Sequence, residues 1–339
     1  MLTPKERLIK SLQKEKVDRP PCICPGGMMN MIIKEVMEIT GSKWPEAHLN
    51  SNLMADLTEG MYKNGAFENF GVPFCMTVEA EALGAKVFMG TEITEPRVIE
   101  YPIKSVTEWK NLNNIDIKQG RTKIVLDAIK ILKKRNKGVP VIANLIGPVS
   151  LAASLLDPIE YYKALRKKTR EVHEFMEFVT ENLIVFGKAQ LEAGADIITI
   201  SDPSGTGEIL GPKMFSEFAI PYLNKILLSL KPFAKGGTIV HICGRLKSVY
   251  EQLNELCSDA ISIDSLSSIK DVKENVANKV IMGNVSTLAL EKNSAESVAT
   301  ITKVCIKNGS NIIAPACGIG ARTPLNNIQA MVNSAKGFK

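Results

Sequence analysis

A histidine and a cysteine stand two residues apart at the end of an apolar run, in the stretch GTIVHICG at residues 237–244. Side chains at positions i and i+2 of a strand point to the same face, so His241 and Cys243 would lie side by side at the carboxyl end of the strand. Imidazole nitrogen and thiolate sulfur are good zinc ligands, and three such protein ligands leave a fourth position open for chemistry. The pair therefore predicts half of a metal site.

The other half is expected where other apolar runs end. Cys317 lies at the end of NIIAPACGIG, and Asp264 lies at the end of DAISIDS. We expect Cys317 to join His241 and Cys243 on one zinc ion, and Asp264 is a candidate for the fourth position until substrate displaces it. A single cysteine on a strand is more often a packing residue. That interpretation is kept for the remaining cysteines, Cys22, Cys24, Cys75, Cys257 and Cys305.

Three further apolar runs end in an amide or a carboxylate, at Asn144, Asp202 and Asn284. An unpaired polar group at a buried strand end is costly, which favours substrate contact over core packing. Asp202 and Asn284 are predicted as catalytic and cofactor-binding residues, and Asn144 as a cofactor-binding residue. His48, in WPEAH, is a further catalytic candidate that could instead only cap a helix. For Arg245 a surface ion pair is favoured over contact with an anionic substrate.

Eight short apolar runs, each bounded by Gly or Pro, would have to position these residues. Stretches with helical period separate most of them, which predicts an α/β fold, a (β/α)8 TIM barrel. In such a barrel the chemistry lies at the carboxyl ends of the strands. The runs cover residues 19–27, 66–74, 139–148, 195–205, 237–244, 259–265, 279–286 and 311–320.

Two segments lie outside this alternation. Thr3, Pro4 and Glu6 form a capping-box pattern that predicts an N-terminal helix ending near Lys16. The region 75–120 contains alternating polar and apolar residues, which predicts a β-hairpin insertion between the second and third barrel strands. Nothing resembles a linker, and residues 1–339 are expected to form a single domain.

Composition narrows the classes of function. The chain has 42 Lys and Arg against 36 Asp and Glu, a net charge of +6 without a basic block, so nucleic-acid binding is not expected. No apolar run reaches transmembrane length and no signal core is present, so a cytoplasmic protein without membrane contact is expected. The seven scattered cysteines favour thiols or metal ligands over disulfides.

The chain resembles the uroporphyrinogen decarboxylase superfamily, and within it the zinc methyltransferases typified by methylcobamide:coenzyme M methyltransferase. The resemblance spans nearly the whole chain. It rests on LTPKERLIKSLQKEKVDRPP, WPEAHLN, LGAKVFMGT, IGPVSLAASL, EAGADIITISDP, VHICG, MGNVS and APACGIGARTPLNN. It implies that His241, Cys243 and Cys317 are zinc ligands. Members often carry Glu where Asp264 stands.

The resemblance also implies a reaction. A methyl group would pass from a methylcobamide (a corrinoid) to a small thiol such as coenzyme M, with Zn²⁺ as the cofactor. The chain has no Asp-x-His-x-x-Gly corrinoid-binding motif, so the corrinoid is expected on a separate small corrinoid-binding protein that docks at the barrel mouth.

Other activities of the same fold remain open. They are a corrinoid-dependent O- or N-demethylase, a methylcorrinoid:tetrahydrofolate methyltransferase, and a non-catalytic partner of a corrinoid protein with a closed zinc site. Uroporphyrinogen decarboxylase is less favoured, because CICPGGMMN lacks the arginines of the RQAGR-like motif that holds the tetrapyrrole.

Overall fold

Parallel strands alternate with helices along the computed structural model, which describes residues 1–135 and 137–338. The strands are β1 (Phe70–Val72), β2 (Lys86–Phe88), β3 (Arg97–Glu100), β4 (Val141–Ile146), β5 (Ile197–Ser201), β6 (Thr238–Ile242), β7 (Ala260–Ile263) and β8 (Val280–Met282). Six of the strands in this part of the chain form one parallel sheet, in the order β1-β4-β5-β6-β7-β8. The other two, β2 and β3, form a separate antiparallel pair.

The first and eighth apolar runs close the sheet into a barrel. Cys22 forms a parallel bridge with Ile313, and Ile312 forms one with Met282 at the end of β8. The first run reaches β1 through a backbone hydrogen bond of 2.9 Å from Glu68 N to the Cys22 carbonyl. The predicted (β/α)8 barrel is confirmed, with isolated bridges where two of the eight strands were expected.

Prolines explain why these two runs lack a continuous ladder. Pro20, Pro21 and Pro25 flank Cys22, and Pro315 follows Ala314. A proline has no backbone N–H to donate to a neighbouring strand. The Asn69 side chain supplies the missing pairing, accepting from Cys24 N at 3.0 Å and donating to the Cys24 carbonyl at 2.8 Å.

Helices follow the strands and cover the barrel. The α-helices are α1 (Pro4–Leu12), α2 (Lys34–Thr40), α3 (Ser51–Lys63), α4 (Val78–Ala82), α5 (Gly120–Arg135), α6 (Pro148–Leu155), α7 (Pro158–Lys167), α8 (Thr169–Ala193), α9 (Gly207–Met214), α10 (Ile220–Leu230), α11 (Tyr250–Glu255), α12 (Ile269–Asn275), α13 (Thr287–Lys292), α14 (Ala295–Lys307) and α15 (Leu325–Lys336). Short 3₁₀ segments cover Glu46–His48, Val106–Asn111 and Lys247–Val249, and a π-helical segment covers Phe215–Ala219. Among the described residues, none of these helices is long and apolar enough to cross a bilayer.

The central strands are buried on both faces. Every residue of β4, β5, β6 and β7 is buried. A parallel sheet enclosed by helices has no solvent face, so its strands are continuous apolar runs without alternation. This is why polar residues inside or just after these strands stand out in the sequence.

The two accessory segments have the predicted types. Thr3 and Glu6 form the capping box, with Thr3 Oγ1 accepting from Glu6 N at 3.2 Å. The helix ends at Leu12, earlier than the predicted Lys16, because Gln13 caps it and Lys14 turns the chain with a φ of 61°. The predicted hairpin is the antiparallel pair β2–β3, inserted between β1 and β4.

Candidate metal centre

Three side chains converge at the carboxyl end of the barrel. His241 lies near the end of β6, Cys243 follows that strand, and Cys317 lies in the closing run after β8. Their potential ligand atoms all lie within 4.8 Å of one another. His241 Nε2 is 3.0 Å from Cys243 Sγ, and the two sulfurs are 3.8 Å apart. The structure thus brings together the three residues that were predicted from the sequence to bind one zinc ion.

The donor set and its spacing fit a tetrahedral zinc ion. Zn–S bonds of about 2.3 Å place two sulfur ligands about 3.8 Å apart in a tetrahedron, the separation found between Cys243 and Cys317. The corresponding nitrogen–sulfur edge is about 3.5 Å, so the 3.0 Å contact of His241 must widen by about 0.5 Å. Small side-chain rotations produce such a change. We propose these three residues as the zinc ligands.

The second nitrogen of His241 is already held. Nδ1 lies 3.0 Å from Ser262 Oγ, on the neighbouring strand β7, where His241 and Ser262 are register partners. A metal-binding histidine usually bonds a protein group through its other nitrogen, which fixes the ring and selects the tautomer. Ser262 therefore leaves Nε2 facing the two cysteines.

The contact between the two thiols moves their pKa values in opposite directions. It lowers the pKa of Cys317 and raises the pKa of Cys243. His241 also lowers the pKa of Cys317. One of the two sulfurs is thus ready to act as a thiolate ligand, and metal binding deprotonates the other.

Two glycines bring the ligand loops into place. Gly244 follows Cys243 with a φ of 76°, and an added Cβ would lie 2.2 Å from Glu208 Oε2. Gly318 follows Cys317, and an added Cβ would lie 2.6 Å from the Met28 carbonyl. A side chain at position 318 would collide with backbone and push the loops apart, whereas at position 244 the Glu208 carboxylate could move aside and the positive φ is what favours glycine. In Cys243-Gly244 and Cys317-Gly318, the cysteine is therefore explained by metal binding and the glycine by the local backbone.

Asp264 lies beside this group but not in it. Its carboxylate accepts from Gly244 N at 3.3 Å and from Leu266 N at 2.9 Å. It thereby ties the loop after β7 to the loop that carries Cys243. Its assignment as a fourth zinc ligand stays a prediction.

Asp202 holds neighbouring loops together. The carboxylate is fully buried and accepts from Val149 N, Ser150 N and Ser150 Oγ at 3.2, 2.8 and 2.6 Å. Burial raises its pKa, and these hydrogen bonds act in the opposite direction. These contacts are with the protein's own scaffold, so the catalytic and cofactor-binding roles expected for Asp202 stay predictions.

The two asparagines also bond the backbone. Asn284 Nδ2 donates to the carbonyls of Asp264 and Ser267, at 2.9 and 2.8 Å. Asn144 Nδ2 donates to the carbonyls of Pro25 and Val72, at 2.8 and 3.1 Å, while its buried Oδ1 has no partner among the described residues. Asn284 follows the end of β8 as expected, whereas Asn144 lies inside β4, because that strand continues through Leu145 and Ile146. The cofactor-binding roles of both, with the catalytic role of Asn284, stay predictions.

His48 is buried in an aromatic setting on the same side of the barrel. Its ring lies 5.1 Å from that of Trp44 and 5.9 Å from that of Phe74, which follows β1. Neither ring nitrogen of His48 has a hydrogen-bond partner among the described residues, nor does Trp44 Nε1. Burial lowers the pKa of His48 to about 3, so its imidazole is neutral. It caps no helix, and its catalytic role stays a prediction.

Two carboxylates with raised pKa values were not predicted from the sequence: Glu79, which is buried, and Glu95, which is half-buried. Glu79 accepts from Ile146 N at 3.0 Å, and burial raises its pKa to about 7. Glu95 lies in the β2–β3 connection, and burial, with contributions from Cys75 and Cys317, raises its pKa to about 8. Neither carboxylate ends a barrel strand, so a search for polar residues at strand ends does not identify them.

Arg245 makes the expected surface ion pair, with Glu208 at 3.1 Å.

Comparison with known proteins agrees with this architecture. The family profile described as Uroporphyrinogen decarboxylase (URO-D) matches residues 3–338. Methylcobamide:CoM methyltransferase MtbA of Methanosarcina acetivorans is 35% identical, over 99% of this chain and 98% of the relative. Methylcobamide:CoM methyltransferase MtaA of Methanosarcina barkeri is 30% identical over 97% and 96%. The solved structure of a methyltransferase from Methanosarcina mazei superposes with a TM-score of 0.90, at 30% identity and 99% coverage of both chains.

Proposed function

This chain belongs to the uroporphyrinogen decarboxylase family, and we propose that it is a zinc-dependent methyltransferase that moves a methyl group from a methylated corrinoid to a small thiol such as coenzyme M. Its relatives at 30–35% identity carry the name methylcobamide:CoM methyltransferase. The observation that carries the proposal is the convergence of His241, Cys243 and Cys317 at the barrel mouth. Three ligands leave room for a substrate at the metal.

The reaction requires a sulfur nucleophile at neutral pH. A free thiol has a pKa of about 8.5, and the thiolate is the reactive form. Zinc, when bound by the three side chains, supplies a Lewis acid that favours loss of the thiol proton. In methyl transfer the sulfur–carbon bond forms, the carbon–cobalt bond breaks, and the bonding electron pair stays on cobalt. The products are a methyl thioether, cob(I)amide and one proton.

The protein's own residues prepare this step. Ser262 fixes the His241 ring, so that Nε2 faces the metal position. Cys243 and Cys317 supply two thiolate charges, which keep electron density on a sulfur substrate that shares the metal. Asp264 holds the Cys243 loop through Gly244 N. The surrounding barrel limits water and orients the two reactants.

The methyl donor is expected to come on another protein. The sequence lacks the Asp-x-His-x-x-Gly motif that binds a corrinoid. The carboxyl end of the barrel carries the three ligands, so the corrinoid would meet the thiol there. A small corrinoid-binding protein is therefore the proposed partner.

The alternatives use the same site differently. A demethylase would transfer methyl from an ether or amine to cob(I)amide, and a folate-dependent enzyme would use tetrahydrofolate as the acceptor. A decarboxylase that needs no metal would not explain why one imidazole and two thiols converge.

The test uses the zinc-loaded protein with free methylcobalamin and coenzyme M, followed through the cobalt absorption spectrum. The proposal predicts formation of cob(I)alamin and methylated coenzyme M that depends on both the thiol and the zinc. Turnover with tetrahydrofolate but not with coenzyme M would contradict the thiol assignment. No turnover with any acceptor, despite bound zinc, would contradict a transferase of this kind.

A further inference from the structure

A groove with a volume of about 520 Å³ lies between α7 and α9. Its lining is mainly apolar and includes Ile159, Tyr162, Leu165, Ile209 and Met214. Two of these side chains are unusually exposed for isoleucines, Ile159 at 65% and Ile209 at 50%. Exposed apolar side chains gathered in a concave surface are typical of a binding site.

The groove lies at the active end of the barrel. Helix α6 begins two residues after the end of β4, and α7 follows α6 directly. Helix α9 follows the carboxyl end of β5. Both walls of the groove are thus built from segments that leave the carboxyl ends of barrel strands, the same end at which β6 presents His241 and Cys243.

The two walls are joined to each other. Tyr162 on α7 donates from its hydroxyl to the Ser204 carbonyl, in the loop after β5, at 3.4 Å. This long hydrogen bond and the packing of Leu165 and Leu210, both largely buried, connect the α7 wall to the α9 wall. The groove is therefore a feature of the folded barrel and needs no rearrangement to form.

Cationic side chains cluster on helix α7 and next to it. A smaller adjoining groove, of about 170 Å³, lies on its other side. The lining of the two grooves contains a single carboxylate, Glu160, which pairs with Lys163 at 2.8 Å. The cationic side chains that line them are Lys104, Lys163, Arg166, Lys167 and Lys168.

Most of these cations lack a counter-charge. Among the described residues, no carboxylate lies within ion-pair distance of Lys104, Arg166, Lys167 or Lys168. All four are exposed. An apolar groove bordered by unpaired cations has the composition of a docking surface for an acidic partner.

We propose that this groove and the four unpaired cations beside it dock the corrinoid-carrying protein, which presents an acidic segment with apolar side chains that enter the groove. The inference rests on the proposed function, in which the methyl donor is carried by a separate protein that must dock at the carboxyl end of the barrel. The apolar lining requires apolar side chains from the occupant. A protein segment supplies both these and the negative charge, whereas a nucleic-acid backbone supplies charge alone.

The charges make the docking dependent on ionic strength. Association of oppositely charged surfaces is accelerated at low salt and slowed as salt screens the charges. Free methylcobalamin does not use the surface, so its turnover should show little of this dependence. Comparing turnover of the methylated corrinoid protein with turnover of free methylcobalamin therefore separates docking from methyl transfer.

The experiment compares the wild-type chain with Arg166→Glu/Lys167→Glu. The probe is a small corrinoid protein with the Asp-x-His-x-x-Gly motif, taken from the organism that encodes this chain and loaded with methylcobalamin. We expect the charge reversal to raise the KM for this protein by about tenfold or more and to reduce its salt dependence. Turnover of free methylcobalamin should stay within about twofold of wild type.

The matched control is Lys16→Glu/Lys134→Glu. Both residues are exposed, and no described carboxylate pairs with either. They precede the first barrel run and β4, so they lie at the opposite end of the barrel. Lys134 occupies the last turn of α5, as Lys167 does for α7, so the cost of reversing a charge at a helix end is matched. The control should keep the wild-type KM for both donors.

A second variant tests the apolar part. Ile209→Gln should weaken binding of the corrinoid protein, measured directly by biolayer interferometry, without changing turnover of free methylcobalamin. An unchanged KM and affinity in both groove variants would overturn the proposal. So would binding of anionic vesicles or RNA in place of the corrinoid protein, or formation of a dimer through this face.

The two proposals can fail separately. If the wild-type chain does not methylate coenzyme M from free methylcobalamin, the proposed function fails, whereas the interferometry still reports on docking. If free methylcobalamin is used and the corrinoid protein neither binds nor donates, the docking proposal alone is overturned.

Discussion

Cys243 and Cys317 are separated by 74 positions in the chain, yet their sulfur atoms lie 3.8 Å apart. Their strands are not neighbours: β7 and β8 lie between β6 and the closing run that carries Cys317. The two thiols meet because closure of the barrel brings the ends of these strands around one mouth. His241 completes the group from the same strand end as Cys243.

Replacing Cys317 by serine should remove the metal. A hydroxyl is a much poorer zinc ligand than a thiolate, and only two of the three protein ligands remain. We expect the zinc content of the dialysed protein to fall from about one ion per chain to a small fraction of that, measured by mass spectrometry of the metal. Cys257→Ser is the matched control, because Cys257 lies outside the ligand group and should leave the zinc content unchanged. Full retention of zinc in Cys317→Ser would contradict the ligand assignment.

Ser262→Ala should weaken zinc binding without unfolding the barrel. The change removes the partner of His241 Nδ1 and frees the ring to rotate. Such outer contacts are typically worth about 10- to 100-fold in metal affinity. Competition with a chromogenic chelator measures the loss. Ser262→Thr keeps the hydroxyl and should restore affinity; equal loss in both variants would indicate a packing effect instead.

Asp202→Ala should destabilise the fold. Three donors from Val149 and Ser150 lose their acceptor in a fully buried place. Each unsatisfied buried group costs about 1–3 kcal/mol, so we expect a loss of about 3 kcal/mol or more in the free energy of unfolding, measured in urea. Asp202→Asn keeps one acceptor oxygen and should lose less. Normal stability together with abolished turnover would instead support the predicted catalytic role.

Glu79 should make the protein less stable as pH rises. Its folded-state pKa, about 7, lies above the ordinary value of 4.5, because burial penalises the charged form. The folded protein therefore holds this proton longer than the unfolded chain does. The resulting stabilisation is fully present below about pH 4.5 and is lost as pH rises to about 7.

Glu79→Gln should remove this dependence. At about 1.4 kcal/mol per pKa unit, the variant should gain about 3 kcal/mol relative to wild type between pH 4.5 and pH 7. Urea unfolding at several pH values in this range measures the difference. Glu46→Gln, at an exposed position, is the control and should follow wild type. A constant difference between Glu79→Gln and wild type across the range would show that Glu79 does not titrate there.

Much of the fold could be predicted from the sequence because a barrel's buried strands are short apolar runs between glycines and prolines. The weak ladders of the first and last runs could not, since they depend on prolines and on the side chain of Asn69 standing in for backbone pairing. The hairpin was recognisable from alternation alone. That residues 1–339 form one domain stays a prediction.

The candidate site could be predicted where side chains able to bind a metal lie at the carboxyl ends of barrel strands. A side chain that can bind a metal and also lies at a strand end is a specific signal, as for His241, Cys243 and Cys317. A side chain that is only polar at a strand end is a weaker signal, as for Asp202 and Asn284. Polarity at a strand end does not reveal whether the partner is a substrate or a nearby backbone group. The structure gives Asp202 and Asn284 backbone partners. Ser262 was missed because its role depends on register with His241, which a sequence does not display.

X-ray absorption at the zinc edge, with and without coenzyme M, tests most directly whether this site binds and activates a thiol. Without the thiol, we expect two sulfur ligands and one imidazole, with one light atom in the fourth position. On addition of coenzyme M the number of sulfur neighbours should rise from two to three. Zinc that keeps an unchanged set of neighbours when the thiol is added would contradict thiol activation at this site.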